Sequence, residues 1–326
     1  YYYRITNGHG QGAERIMNAE AEFLQGRFVD AQICLENTYV HIAENGQENM
    51  VLCCDFLALR LALCTELSLS YTIAERRKEL LRRHNITWVT LFDSVCAYYY
   101  ALSGQITQIP VLFREHQLST VNFLAPGKPM MELIENQVYL VQQEYAKVIG
   151  RSEGLLAVCE AMHYALVALH VQIQTAAAYE CLGKRTEARN CLKRALQIAL
   201  PDQFYLPFVE NYEYLEELLQ REIQTADAAE HVFLTKVTEL GKNCQKRYGA
   251  LRKTHMFPKI AAELTEQEQR IIELLAERLS NREIAEKLFL SEGTIKQYIN
   301  RIYAKLQISG DVRTKRRQLI ELLTAE

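Results

Sequence analysis

Residues 264–306 read LTEQEQRIIELLAERLSNREIAEKLFLSEGTIKQYINRIYAKL, and three helix starts are written into that stretch by side chains suited to cap backbone N–H groups. Thr265 followed three residues later by Glu268 is a capping box, which predicts a helix with the apolar stripe Ile271, Ile272, Leu274, Leu275 and Leu279. Ser280 with Glu283 is a second, opening a short helix packed through Ile284, Ala285 and Leu288. Ser291 caps a third, in which Ile295, Ile299, Ile302 and Leu306 recur at helical spacing on one side. Two short helices and a longer one predict a helix-turn-helix.

On a helical wheel the other side of the third helix carries Gln297, Asn300, Arg301 and Ala304, flanked by Thr294, Lys296 and Lys305. That face holds amides, cations and a small residue, and no carboxylate. Asn and Gln bond adenine edges bidentately, Lys donates to guanine, and Arg and Lys suit phosphates, so double-stranded DNA is the expected partner. Between residues 291 and 320 the basic side chains Lys296, Arg301, Lys305, Arg313, Lys315, Arg316 and Arg317 face only Glu292 and Asp311. The positive charge is local, because the acidic and basic residues of 258–326 nearly cancel.

Four runs in this segment, Leu264-Thr265-Glu266-Gln267-Glu268, Leu279-Ser280-Asn281-Arg282-Glu283-Ile284-Ala285, Ser291-Glu292-Gly293-Thr294-Ile295-Lys296 and Ile302-Tyr303-Ala304-Lys305-Leu306, resemble the LuxR-type DNA-binding domain in order and spacing. The resemblance implies four helices, with the third in the major groove and the fourth a dimer face. By position it implies Lys296, Gln297 and Asn300 as base readers, and Thr294, Arg301 and Lys305 as phosphate contacts. Leu319, Ile320 and Leu323 would form the dimer face of a homodimer or larger oligomer. Three departures stand out: Arg278 where the family usually has Gly, Tyr298 where it usually has His, and Arg313-Thr314-Lys315-Arg316-Arg317 in place of its common ending.

Ahead of this domain, residues 236–259 carry seven basic side chains against Glu239 alone and close on Phe257-Pro258, which reads as a basic helix running into a linker. Earlier still, Ala176, Tyr179, Gly183, Ala188, Leu192 and Ala195 spell helix, tight turn, helix, with small residues where two helices would approach. This order resembles a tetratricopeptide repeat. The same turn is expected at Gly26, Gly104 and Gly150, with a degenerate step near Thr65 whose first helix is Leu57-Ala58-Leu59-Arg60-Leu61. Stacked helix pairs bury a shared core, so residues 11 to about 220 are expected to form roughly ten helices in a curved solenoid. The fold class is therefore all-α: a tetratricopeptide-like helical-repeat solenoid over 1–222, a basic helix and linker over 223–259, and a four-helix LuxR-type domain over 260–326.

A helical array before such a domain resembles the C-terminal part of the large MalT-like regulators, and residues 199–211 (ALPDQFYLPFVEN) are similar to the segment closing their array. Those regulators carry a nucleotide-switching P-loop module in front. The glycine cluster Gly8-His9-Gly10-Gln11-Gly12 lacks the Gly-Lys-Ser/Thr such a loop needs and is read as a frayed start. The chain begins without an initiator Met and is expected to come from something longer.

Composition agrees with helices: 14 Gly and 6 Pro in 326 residues are too few for the many turns of a β-sandwich or wound α/β sheet. A net charge of −3 says nothing about partners, while 49% apolar and 24% charged residues are the proportions of an ordinary soluble globular protein. Nine cysteines, none in a C-x-x-C spacing and most within apolar helical patterns (Cys34, Cys64, Cys96, Cys159, Cys181, Cys191), read as small buried hydrophobes in a reducing cytoplasm. No stretch approaches the length of a membrane span. His163 and His170, seven apart on one expected helix face, lack a third ligand, and no hydrolase motif occurs, so neither a metal, a cofactor nor an enzyme is expected. The aromatic residues Tyr99, Tyr100, Phe204 and Tyr205 are candidates for an effector groove on the solenoid's concave face.

These features favour a sequence-specific DNA-binding transcription regulator whose helical array receives an effector or a protein partner. The alternatives are a protein-interaction scaffold with little DNA affinity, and the output half of an ATP-driven switch.

Overall fold

The computed structural model describes residues 10, 12–45, 48–66, 69, 72–123, 125–276, 279–306, 308, 314–316 and 318–319. The opening residues 1–4, and Gly8, His9 and Gln11 of the glycine cluster, lie outside them. The chain divides into two compact units, Tyr1–Arg247 and Tyr248–Glu326. Among the described residues every element is a helix.

The first unit contains α1 (Ala13–Leu24), α2 (Phe28–Asn45), α3 (Glu48–Cys64), α4 (Ile73–Arg82), α5 (Ile86–Leu102), α6 (Val111–Arg114), α7 (Lys128–Val141), α8 (Tyr145–Ala161), α9 (Ala165–Cys181), α10 (Arg185–Ala199), α11 (Leu206–Glu210) and α12 (Tyr212–Ile223). A long helix, α13 (Ala228–Glu263), follows, and the division between the units falls within it. The stretch read as a basic helix closing at Phe257-Pro258 lies on α13, which continues past that pair to Glu263. A proline removes one backbone hydrogen bond without ending a helix whose later residues, Ala261-Ala262-Glu263, favour it.

Tight reversals organise the first unit. Gly26, Gly104 and Gly183 adopt left-handed φ values of 72, 71 and 72°. At Gly183 the following N–H, of Lys184, returns to the Tyr179 carbonyl, which satisfies a carbonyl that the helix end would otherwise leave open. Gln143, His163 and Gln203 adopt the same conformation without being glycine, at φ 63, 56 and 56°. With Gly183 they fall twenty residues apart, so the chain from α7 to α11 reverses at regular intervals. Ala176, Ala188, Leu192 and Ala195 are fully buried where α9 meets α10, as the small-residue pattern requires.

Three expectations are corrected. Gly150 is not a turn: it lies inside α8, and the reversal sits at Gln143, because a glycine costs a helix interior only about 1 kcal/mol and does not stop it. His163 and His170 do not share a helix face, since His163 is the left-handed turn residue and His170 lies in α9; no metal-binding group of three or more His, Cys, Asp or Glu occurs among the described residues. Cys181 is exposed, as is Cys53; Cys181 ends α9 at the Gly183 turn, beyond the buried run of alanines. Cys54, Cys96, Cys159, Cys191 and Cys244 are buried thiols.

The unit also closes on itself, which a stack with only nearest-neighbour contacts would not do. Tyr205 N–H donates to the Leu24 carbonyl at 2.8 Å, and the Gln25 amide donates to the Asp202 carbonyl at 2.8 Å. Beneath that junction Arg60, 3% exposed, pairs with Glu20 and, through Nε at 2.6 Å, with Glu210. Tyr98 OH donates to the other Glu210 oxygen at 2.9 Å. The neighbouring Asn211 accepts from Gln137 and donates to the Pro207 carbonyl, and Gln137 accepts in turn from Gln174. Glu210 and Asn211 are thus buried hydrogen-bonding centres. Gly241 of α13 lies against the Tyr212 ring so closely that a Cβ would stand 2.4 Å from it.

Burial, reinforced by the Arg60 charge, keeps the His170 imidazole neutral and lowers its pKa to about 3. An unfolded chain binds that proton near the ordinary value of about 6.5. Below that pH the unfolded state holds one more proton than the folded one, so stability is fully present above about pH 6.5 and is lost as pH falls toward 3. The expected slope from this group is about 1.4 kcal/mol per pH unit between roughly pH 6 and pH 4. Urea denaturation of wild type and His170→Gln across that range should show their difference changing at this rate; a constant difference would mean the imidazole is protonated in the folded state.

Candidate nucleic-acid interface

The second unit contains α14 (Glu266–Ala276), α15 (Asn281–Leu288) and α16 (Glu292–Lys305). Each starts where the sequence places a cap. Thr265 N–H donates to Glu268 Oε2 at 2.8 Å and Glu268 N–H returns to Thr265 Oγ1. Ser280 and Glu283 close the same reciprocal box before α15, and the Ser280 hydroxyl holds the Glu283 carboxyl below the usual carboxylate range. Ser291 Oγ accepts from Thr294 N–H at 3.0 Å before α16. Ile271, Ile272, Leu275, Ile284, Ala285, Ile295, Ile299 and Ile302 form one buried core, with Leu274, Leu279, Leu288 and Leu306 packed at its edge.

Between α15 and α16 the chain turns through Phe289, left-handed at φ 55°. Leu290 N–H bonds the Ala285 carbonyl at 3.0 Å across that turn. Phe289 is 94% exposed, an aromatic residue in a conformation that favours glycine. Nothing in the local pattern of the sequence signals it.

With its isoleucines inward, α16 turns Lys296, Gln297, Asn300, Arg301, Ala304 and Lys305 to solvent. The side chains of Gln297 and Asn300 are exposed and make no hydrogen bond among the described residues. Lys296 pairs loosely with Glu292 one turn back, at 3.1 Å with both side chains exposed, so DNA could displace that contact at little cost. Arg301 lies over the Tyr298 ring at 5.7 Å, while Tyr298 packs at the edge of the core. Thr294 shares its hydroxyl with Ser291 Oγ at 2.8 Å as part of the cap.

Lys305 is differently placed. Its Nζ lies 2.6 Å from Glu268 Oε2, whose side chain is 3% exposed. Burial would raise the Glu268 carboxyl, but the Lys305 ammonium and the Thr265 cap outweigh it and hold the pKa below the ordinary value. Lys305 therefore ties the end of α16 to the start of α14.

The C-terminal residues correct one expectation and add a contact. Leu319 is fully buried in the domain's own core and is not an exposed dimer contact; an apolar residue at that spacing serves the fold as readily as a partner. Ile320 and Leu323, and the departure at Arg278, lie outside the described residues. Arg316 donates to Asn281 Oδ1 and to the Leu279 carbonyl, each at 2.6 Å, which fastens the C-terminal segment to the start of α15.

The four aromatic residues singled out as an effector groove do not come together. Tyr99 and Tyr100 meet edge-on at 5.3 Å, with Tyr100 beside Cys96 and Phe92. Tyr205 packs on Phe233 at 4.8 Å and bonds Gln203. Phe204 lines an apolar cavity together with Leu24 and Met131.

No helix among the described residues is long and apolar enough to cross a membrane. Residues 262–316 match the family model for bacterial regulatory proteins, luxR family. Over 43 residues the chain is 49% identical to the DNA-binding transcriptional activator DevR/DosR of Mycobacterium tuberculosis (strain ATCC 25618 / H37Rv). That match covers 13% of this chain and 20% of the relative, so it spans a fifth of the relative's length. No solved structure matches the chain significantly. The capped helices, the shared core and the matched segment coincide, and residues 262–316 form a helix-turn-helix domain of the luxR family of bacterial regulatory proteins.

Proposed function

We propose that this protein is a sequence-specific, double-stranded-DNA-binding transcription regulator. The observation that carries the reading is the outer face of α16: exposed amides and cations at Lys296, Gln297, Asn300 and Arg301, with the Glu292 carboxylate at the start of the helix paired to Lys296, on a helix capped by Ser291. In this reading α16 enters the major groove, Lys296, Gln297 and Asn300 read base edges, and Thr294 and Arg301 contact phosphates. Lys305 contacts phosphate only so far as its pairing with Glu268 allows. The helices of the first unit act as a tetratricopeptide-like array, similar to that of MalT-like regulators, which receives an effector or protein partner. Binding as a homodimer or larger oligomer would then place two copies of α16 on successive major grooves.

The test is competition binding of the full chain to genomic duplex at several salt concentrations. With Arg301 and one further cation each neutralising a phosphate, affinity should fall at least about tenfold between 50 and 200 mM salt. Salt-independent binding, or none at low salt, would favour the scaffold reading.

A further inference from the structure

Within the first unit an apolar cavity of about 490 Å³ opens among five helices, with Leu24 from α1, Phe56 from α3, Leu91 and Val95 from α5, Met131 from α7 and Leu166 from α9 in its walls. That is the size of a small-molecule site and the room of roughly sixteen waters at about 30 Å³ each, in walls that offer water few partners. Flexible methionine side chains at Met130 and Met131 can adjust to an occupant.

The cavity has a built polar end. An adjoining space of about 60 Å³ shares Glu20, Phe56, Met130 and Leu166 with it and is lined by Arg60, Tyr98 and His170. Arg60 is almost wholly buried; Glu210 and Glu20 take its Nε and Nη1, while Nη2 has no acceptor among the described residues. His170 Nδ1 likewise lacks a hydrogen bond there. A buried donor without an acceptor is expensive to maintain and points to a group that completes it.

Local charge selects the kind of group. Two carboxylates, Glu20 and Glu210, already surround the one guanidinium. An anionic ligand would add a third negative charge, and a cation offers Nη2 no acceptor. We propose that this cavity binds an uncharged, largely apolar small molecule with one hydrogen-bond-accepting oxygen, of the size of a medium-chain ketone, ester or alcohol. Its oxygen meets Arg60 Nη2 and its hydrocarbon lies among Leu24, Phe56, Leu91 and Met131. In the proposed regulator this molecule is the effector; that role rests on the DNA-binding reading, whereas the site itself does not.

The test uses the full chain and the neutral fluorophore N-phenyl-1-naphthylamine. Saturable binding is expected, displaced by 2-undecanone at concentrations at least tenfold lower than by decanoate or decylamine at pH 8. Ala21→Phe and Leu91→Trp, which fill the cavity from partly exposed wall positions, should each weaken probe binding at least tenfold with unchanged far-ultraviolet circular dichroism. Absence of saturable binding overturns the proposal, as does equal displacement by decanoate or decylamine. Wild-type affinity in both folded variants also overturns it, and the displacement series on wild type decides even if neither variant folds. Ketone binding without any change in DNA affinity removes the regulatory role and leaves the site standing.

Discussion

Replacing Glu210 by Ala is expected to destabilise the first unit by about 3–5 kcal/mol, because it strips a buried guanidinium of its more deeply buried carboxylate. Arg60 would keep only Glu20, whose side chain is 22% exposed, and Tyr98 OH would lose its acceptor. Glu210→Gln should cost less, since an amide still accepts from Arg60 or Tyr98. The sharper comparison is Arg60→Met with Glu210→Met: removing both charges leaves only the partly exposed Glu20 without its cation, and the double variant should be more stable than Glu210→Ala. Urea denaturation followed by circular dichroism measures all three. A loss below about 1 kcal/mol for Glu210→Ala would mean that the pair is solvated.

On α16 the expected effects divide by what each side chain touches. Asn300→Ala should cost roughly 1–3 kcal/mol on an operator selected from a random library and little on unrelated duplex, because a bidentate base contact carries sequence information. The residue is exposed and unbonded, so the fold should not change. Arg301→Ala should weaken both duplexes alike and lower the salt slope by about one unit. Lys305→Ala is expected to behave differently from a pure phosphate contact: it leaves the buried Glu268 carboxylate without its cation, so the domain's melting temperature should fall along with its affinity. If Asn300→Ala leaves the ratio of specific to random affinity untouched, α16 is not the reader.

What the amino-acid sequence shows of this molecule follows the range of the interactions. The caps at Thr265, Ser280 and Ser291 join residues three apart, and the isoleucine stripe of α16 repeats within a turn; both are written locally and both are met in the structure. The turns at Gly26, Gly104 and Gly183 are equally visible, since glycine adopts a left-handed φ without penalty. The matching turns at Gln143, His163 and Gln203 are hidden because none of them is a glycine, and Gly150 misleads because it lies inside α8. Arg316 reads as one more cation in a basic run, yet its partners, Leu279 and Asn281, lie 37 and 35 residues away. The groove aromatics share the fault of all periodic apolar patterns, which mark burial without saying against what.

The junction of α1, α3 and α11 bears on how the chain acquires its structure during synthesis. An open helical array can fold pair by pair as it leaves the ribosome, each pair stabilised by the one before. Here Arg60 waits for Glu210, 150 residues later, and the Leu24 carbonyl waits for Tyr205. Until that stretch has emerged, the early helices hold a cation without its deepest partner and an apolar surface without its cover. The first unit should therefore mature as a single cooperative body only after residue 211 is made, and fragments ending before that point should be poorly soluble clients of chaperones and proteases instead of smaller working versions of the unit.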